Sequence, residues 1–333
     1  MRTRPFGTTG MDITVIGFGS WAVGGPGLMG WGAQSDDESV AAIHHAVALG
    51  VNWVDTAAVY GFGHSEKVVG RALAELPAAD RPLVFTKCGL VWDDDGVESN
   101  DLRPESIKQQ CDDSLRRLGL DHIDLYQIHD PDPDGPPIED SWGAMLELVD
   151  AGKVRAAGVS NFDVALLDRC AAVGPVASLQ PPLSLLRREA AADVVPWCAE
   201  HGAGVIVYSP LASGLLSGSF TRERAERLPD GDWRSRAAAF KRPALDRNLA
   251  LQDALRPVAA RHGVSVDAVA IAWTLAWPGV TAAIVGARTP AQADGWPEAA
   301  ALRLTGEDLA ELAAAVETTG AGSGPVTPGA FDK

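Results

Sequence analysis

Four side chains able to hold or move a proton stand at, or just beyond, the points where apolar runs of the sequence stop. Asp55 closes "VNWVD" (51–55), Lys87 closes "LVFTK" (83–87) and His129 closes "IDLYQIH" (123–129). Tyr60 follows Asp55 in "VDTAAVYG". A phenol titrating near about 10 is a poor acid at neutral pH, but a cation beside it stabilises the phenolate and lowers that value. Lys87 is the expected cation. A buried lysine sheds its proton unless an opposite charge is near, and Asp55 supplies one. His129 is then placed to donate a hydrogen bond to a substrate oxygen and to share in proton transfer. A phenol that protonates an oxygen performs half of a carbonyl reduction. The other half is a hydride, which side chains do not supply, so a nicotinamide cofactor is implied. No G-x-G-x-x-G opens a helix after a strand, so a Rossmann domain is not its source, and the glycines of "GFGSWAVGG" (17–25) are weak evidence alone.

These residues need a frame that brings strand ends together. Short β-branched runs alternate with helix-like segments, the pattern of a parallel sheet. Strand cores fall at 15–19, 51–55, 83–87, 123–129, 154–160, 177–180, 204–209 and 282–286, and eight is the number that closes a barrel. A doubly wound sheet fits the alternation too; the polar residues at strand ends favour a (β/α)₈ TIM barrel, whose active site gathers there. "SDDESVAAIHHAVALG" reads as a helix capped by Ser35 and ended by Gly50, and "RPESIKQQCDDSLRRLGL" as one opened by Pro104 and ended by Gly119. "RPFGTTGMDITV" predicts an N-terminal β-hairpin around Thr9-Gly10 that plugs the barrel bottom. A long insert between strands seven and eight, about 211–279, holds a Gly/Ser-rich loop, a charged stretch and two helix candidates. Residues 1–333 read as a single domain, with a Gly/Pro/Thr-rich tail from about 318 to 333 expected to be flexible, mobile or draped over the surface.

Composition narrows the partners. Apolar residues are 46% and charged residues 22% of the chain, as in ordinary globular proteins rather than disordered or membrane ones. A net charge of −16 repels polyanions and argues against nucleic acid. No signal peptide or run of about 18 apolar residues is evident, so a cytoplasmic location is expected. Cys88, Cys111, Cys170 and Cys198 lack metal-ligand spacing; no metal is expected and the thiols read as reduced and packed.

The chain resembles the aldo-keto reductase superfamily over nearly its whole length. The matching stretches are "VDTAAVYG", "FTK", "IDLYQIH", "GKVRAAGVSNF", "SLQPPLSLLRRE", "VIVYSPLASGLLSG", "DWRSR" and "IVGARTPAQ", in family order. The resemblance implies a barrel that binds NADP(H) without a Rossmann fold, reduces a small-molecule carbonyl substrate reversibly, and uses Asp55, Tyr60, Lys87 and His129 as its tetrad. It also implies cofactor contacts from Gly19, Ser20 and Trp21. Ser160, Asn161 and Gln180 would hold the nicotinamide carboxamide and Tyr208 would stack on the ring. Ser209, Leu211, Ser213 and Gly214 would wrap the pyrophosphate, and Gly286, Arg288 and Gln292 would lie at the adenosine 2′-phosphate. Trp21, Trp31 and Trp92 are expected to line the substrate pocket with Asp130. Three departures stand out: Asp130 replaces a common aromatic, Leu183 a tyrosine, and Gly295-Trp296 a Glu-Asn pair, leaving adenine stacked or loosely held.

Each residue also has a structural reading. Asp55 and Lys87 could be a plain buried ion pair, Tyr60 and Tyr208 packing aromatics, Ser160-Asn161 a helix cap, and Arg288 a surface arginine. A cofactor-binding redox sensor, resembling potassium-channel β-subunits, or a reductase dedicated to one complex metabolite would carry the same tetrad. No partner-binding motif is evident, and His44-His45 read as helix residues away from the rim.

Overall fold

The computed structural model describes residues 1–25, 31–229 and 231–329. β1 (Thr3–Pro5) and β2 (Asp12–Thr14) pair antiparallel as the predicted hairpin. Its turn pushes Phe6 into the barrel floor, where the ring stacks on Phe85 at 5.6 Å.

The barrel strands are β3 (Ile16–Gly19), β4 (Trp53–Asp55) and β5 (Leu83–Cys88), followed after a hairpin of β6 (Leu90–Trp92) and β7 (Glu98–Asn100) by β8 (Ile123–Ile128). β9 (Val154–Ser160), β10 (Ser178–Gln180), β11 (Gly204–Val207) and β12 (Ala282–Gly286) complete the set. They close in the order β10-β11-β12-β3-β4-β5-β8-β9, all neighbours parallel. Trp53, Phe85, Leu125, Ile206 and Ile284 fill the interior. Trp53 fits only because Gly17, beside it on the adjacent strand β3, has no side chain; a Cβ there would lie 2.2 Å from the indole. β11 stops at Val207, short of the expected residue 209, because Ser209 adopts a left-handed backbone (φ 56) that no strand accepts.

Helices α1 (Asp36–Ala48), α2 (His64–Glu75), α3 (Pro104–Leu118), α4 (Ile138–Asp150), α5 (Val164–Val173) and α6 (Val194–His201) cover the outside. Ile43, Val69, Ile107, Trp142 and Leu167 are buried there against the strands, each such side chain contributing about 1.5–3 kcal/mol by its removal from water. Ser35 caps α1 by accepting from the Glu38 amide at 3.4 Å, and Gly119 ends α3 in the left-handed region. His44 and His45 stay on α1, bonded to the Ala72 carbonyl and to Asp294. All four cysteines are buried and free.

The insert holds more than the two expected helices: α7 (Arg222–Glu226), α8 (Ala244–Ala254), α9 (Arg256–His262) and α10 (Val266–Leu275). Pro257, in the first turn of α9, divides what reads as one helix into two. α11 (Trp296–Ala301) and α12 (Gly306–Thr319) follow β12. The tail beyond Thr319 is draped rather than loose as far as Gly324. Arg188 donates to the carbonyls of Ala321 and Gly324 and to Leu185, and Ser323 bridges to Arg187. Residues 330–333 of the expected tail lie outside the described residues. No helix among the described residues is long and apolar enough to cross a membrane.

α12 is locked by one carboxylate. Asp308 and Thr305 form a reciprocal capping box, and Asp308 also meets Arg261 and, at 2.8 Å, His262 on α9. Burial pushes the Asp308 carboxyl up, but the Thr305, His262 and Arg261 hydrogen bonds outweigh it and hold it below the carboxylate range. Asp308→Ala is expected to cost about 2–3 kcal/mol, read as a lower urea midpoint. Because the folded value lies below the unfolded one, this contribution is complete above pH about 5 and fades as pH falls through the folded value. The gap between wild type and variant should close in acid.

Candidate active site

The mouth of the barrel, at the carboxyl ends of its strands, brings together all four proton-handling residues. Lys87 Nζ donates to Asp55 Oδ1 at 2.6 Å, to the Thr56 carbonyl at 2.8 Å and to the Tyr60 hydroxyl at 3.5 Å. The ammonium also lies over the Tyr60 ring, 5.2 Å from its centroid. Asp55 Oδ2 accepts from Gln180 Nε2 at 2.8 Å, so both carboxylate oxygens are held. The His129 ring meets Tyr60 edge-on at 5.7 Å. Tyr60 is set by the backbone around Gly61 (φ 61), where an added Cβ would lie 2.1 Å from the Gly24 carbonyl.

The electrostatics correct one sequence expectation. Tyr60 is held well above the ordinary phenol value, by burial first and then by the charges of Asp55, Tyr208 and Asp130. Lys87, though its Nζ lies 3.5 Å from the hydroxyl, does not bring the value down. Burial, then Lys87, holds His129 well below the usual imidazole value. The site therefore presents a fully protonated phenol beside a neutral imidazole.

Around this centre, Ser160 Oγ donates to the Gln180 carbonyl at 2.9 Å. Asn161 takes a left-handed backbone (φ 62) and donates to Asp130 Oδ1 at 2.7 Å and to the His129 carbonyl at 3.2 Å, while its own Oδ1 accepts from the Tyr208 hydroxyl at 2.9 Å. After β11 the chain turns through Ser209 (φ 56), Ala212 (φ 47), Ser213 (φ 54) and Gly214 (φ 99), with Leu211 between. Such a run of left-handed residues costs free energy and turns backbone amides toward an anion.

Gly286 of β12 pairs with Gly19 of β3 at the rim. Just beyond, the Arg288 guanidinium is clasped by the loop after β3. Nε donates to Gln34 Oε1 at 2.7 Å, Nη1 to the Trp31 carbonyl at 3.3 Å, and Nη2 to the Ala33 carbonyl. Gln34 Nε2 returns a bond to the Arg288 carbonyl at 2.7 Å, and Gln292 Oε1 accepts from the Arg288 amide.

Several expectations change. Ser20 is fully buried, and its hydroxyl accepts from Ser65 at 2.8 Å; it braces the loop rather than facing a ligand. Trp21 and Trp31 do form an aromatic wall, edge to face at 5.3 Å, but Trp92 is not part of it. Trp92 lies on the β6–β7 hairpin and packs on Phe62 at 5.6 Å and beneath Arg117. Trp296 offers adenine no platform, being buried against Phe18. Leu183 is buried in the main hydrophobic core, and its amide donates to the Tyr208 carbonyl at 3.2 Å.

The wall also has members that the sequence reading left without a role. Trp233, from the insert, packs on Trp21 at 5.9 Å, and Arg234 lies 4.6 Å over Trp31, held by Asp232 and donating to the Ser213 carbonyl at 3.3 Å. The "DWRSR" stretch was the available signal. The indole N–H groups of Trp31 and Trp233 are buried without a partner among the described residues.

The left-handed turn after β11 suits a phosphate-bearing ligand, and Gln180, whose Nε2 is engaged by Asp55, leaves its Oε1 for a carboxamide. The residues present thus fit a nicotinamide dinucleotide. A closed parallel barrel with such a mouth defines a class, the barrel-fold oxidoreductases. Within it, the chain belongs to the aldo/keto reductase family, whose model matches residues 15–317. It is 37% identical to the aldo-keto reductase YhdN of Bacillus subtilis, over 93% of this chain and 92% of that one. It is 33% identical to the NADH-specific methylglyoxal reductase of Escherichia coli, over 95% and 100% of the two chains. The glycerol dehydrogenase AKR11B4 from Gluconobacter oxydans superposes with a TM-score of 0.88 at 37% identity, covering 98% of both chains. Members of the family use nicotinamide cofactors.

Proposed function

We propose that this protein reduces aldehydes or ketones to alcohols, reversibly, with NADP(H) and with Tyr60 as the general acid. The observation that carries the reading is the chain Asp55–Lys87–Tyr60 at 2.6 and 3.5 Å with the His129 ring beside the phenol. When bound, the reduced nicotinamide supplies hydride. Tyr60 holds the proton that the new alkoxide requires, and its raised pKa keeps that proton in place until negative charge develops on the substrate oxygen. Neutral His129 donates a hydrogen bond that orients the same oxygen, and Lys87 stabilises the phenolate left behind. Ser160, Asn161 and Gln180 would hold the carboxamide, Tyr208 the ring face, and Ser209, Leu211, Ser213 and Gly214 the pyrophosphate. The unengaged N–H groups of Arg288 would take a 2′-phosphate, with the fork already fixed by Gln34 and the Ala33 carbonyl.

One observation favours NADH as a second reading. The Arg288 fork is largely occupied by its own loop, and one relative is an NADH-specific methylglyoxal reductase. The test is single-turnover oxidation of pre-bound NADPH and, in parallel, NADH, followed by absorbance with a panel of aldehydes. Rapid oxidation with tighter NADPH binding is expected. Tight binding of either cofactor with no oxidation by any aldehyde would replace this reading with that of a redox sensor or a dedicated reductase. A preference for NADH would overturn only the cofactor assignment.

A further inference from the structure

Asp130 puts a carboxylate oxygen beside the reacting groups that no other described residue uses. It follows His129 directly, it is half-buried, and its Oδ1 is fixed by Asn161 at 2.7 Å. Oδ2 has no hydrogen-bond partner among the described residues. Asn161 ties it to the site: the side chain that donates to Asp130 also donates to the His129 carbonyl at 3.2 Å and accepts from the Tyr208 hydroxyl at 2.9 Å. Burial holds the Asp130 carboxyl above its usual value, with the Asn161 hydrogen bond and the Lys87 charge pulling the other way. An aromatic side chain in this place would offer a substrate only an apolar face.

We propose that Asp130 Oδ2 is the specificity-determining acceptor of the substrate pocket, selecting short-chain aldehydes and ketones with a hydroxyl next to the carbonyl and rejecting 2-oxo acids. The inference rests on the carbonyl-reductase reading and names its substrate class. The reasoning is one of satisfaction. An acceptor held half out of water at a binding site favours a ligand that replaces its lost water with a donor, and disfavours one that places a second carboxylate against it. Because Asp130 follows His129 directly, the donor it would meet is one close to the carbonyl oxygen that His129 and Tyr60 hold, and a hydroxyl on the adjacent carbon is that donor.

The experiment compares kcat/KM for propanal, lactaldehyde and glyoxylate in the wild type and in Asp130→Asn, together with the cofactor dissociation constant of each. Asparagine keeps the Oδ1 that Asn161 needs and turns the outward acceptor into a donor. The wild type is expected to prefer lactaldehyde over propanal by about tenfold or more, the scale of one hydrogen bond to a charged acceptor. In the variant that ratio should collapse toward unity, and the glyoxylate-to-propanal ratio should rise by about tenfold. A uniform fall for all three substrates, with weaker cofactor binding, would overturn the inference: Asp130 would then act only by positioning Asn161. No oxidation by any carbonyl in the wild type would overturn the carbonyl-reductase reading and this inference with it.

Discussion

Tyr60→Phe is expected to lower kcat for carbonyl reduction by about 10²–10⁴-fold, the contribution of a placed general acid, while the protein stays folded and still binds its cofactor. The hydroxyl makes only a long contact, 3.5 Å, with Lys87, so its removal leaves the Asp55–Lys87 pair and the turn around Gly61 in place. Both kcat and kcat/KM should fall together, because the lost interaction operates in the transition state. The pH profile gives an independent check. With the phenol held well above 10, reduction should not decline through neutral or mildly alkaline pH on account of Tyr60. With His129 held well below its usual value, the imidazole stays neutral to lower pH than a free histidine. A decline centred near neutrality, or full turnover by the folded Phe variant, would count against the assignment.

Lys87→Met should damage both stability and activity. The ammonium is 0% exposed and Asp55 3%, so removing it leaves a buried carboxylate with Gln180 as its remaining side-chain donor. Breaking one side of such a pair costs about 3–5 kcal/mol, which urea unfolding would register directly. The double variant Asp55→Asn/Lys87→Met separates the two roles. Removing both charges should recover most of the stability while turnover stays low, whereas a purely structural pair would regain activity along with the fold.

The barrel, and the meeting of Asp55, Tyr60, Lys87 and His129 at its mouth, were legible because both are written in local pattern. Apolar runs give the strands, and the residue at which each run stops is, by geometry, a residue of the rim. What depended on three-dimensional surroundings was not. The rise of the Tyr60 pKa follows from burial and from the surrounding charges of Asp55, Tyr208 and Asp130, neither of which spacing encodes. Trp233, Arg234 and Gln34 reach the mouth along loops that have no periodicity to follow. Other misses had a signal. Asp95-Gly96 between "LVW" and "ESN" is a hairpin cue that announces β6 and β7, and Pro257 marks the break between α8 and α9. Trp296, one of the departures from the family pattern, went to the core, since an aromatic beside an apolar helix face buries itself before it waits for a ligand.

The clasp between Arg288 and the loop after β3 makes one mechanical unit of two ends of the active site. The carbonyls that hold the guanidinium belong to Trp31 and Ala33, and the Trp31 indole is part of the aromatic wall. Any phosphate that draws the arginine toward itself loosens or re-seats that indole. On the reading proposed above, cofactor choice and substrate fit are then not independent dials: re-engineering position 288 to swap cofactors would be felt at the Trp21–Trp31 wall.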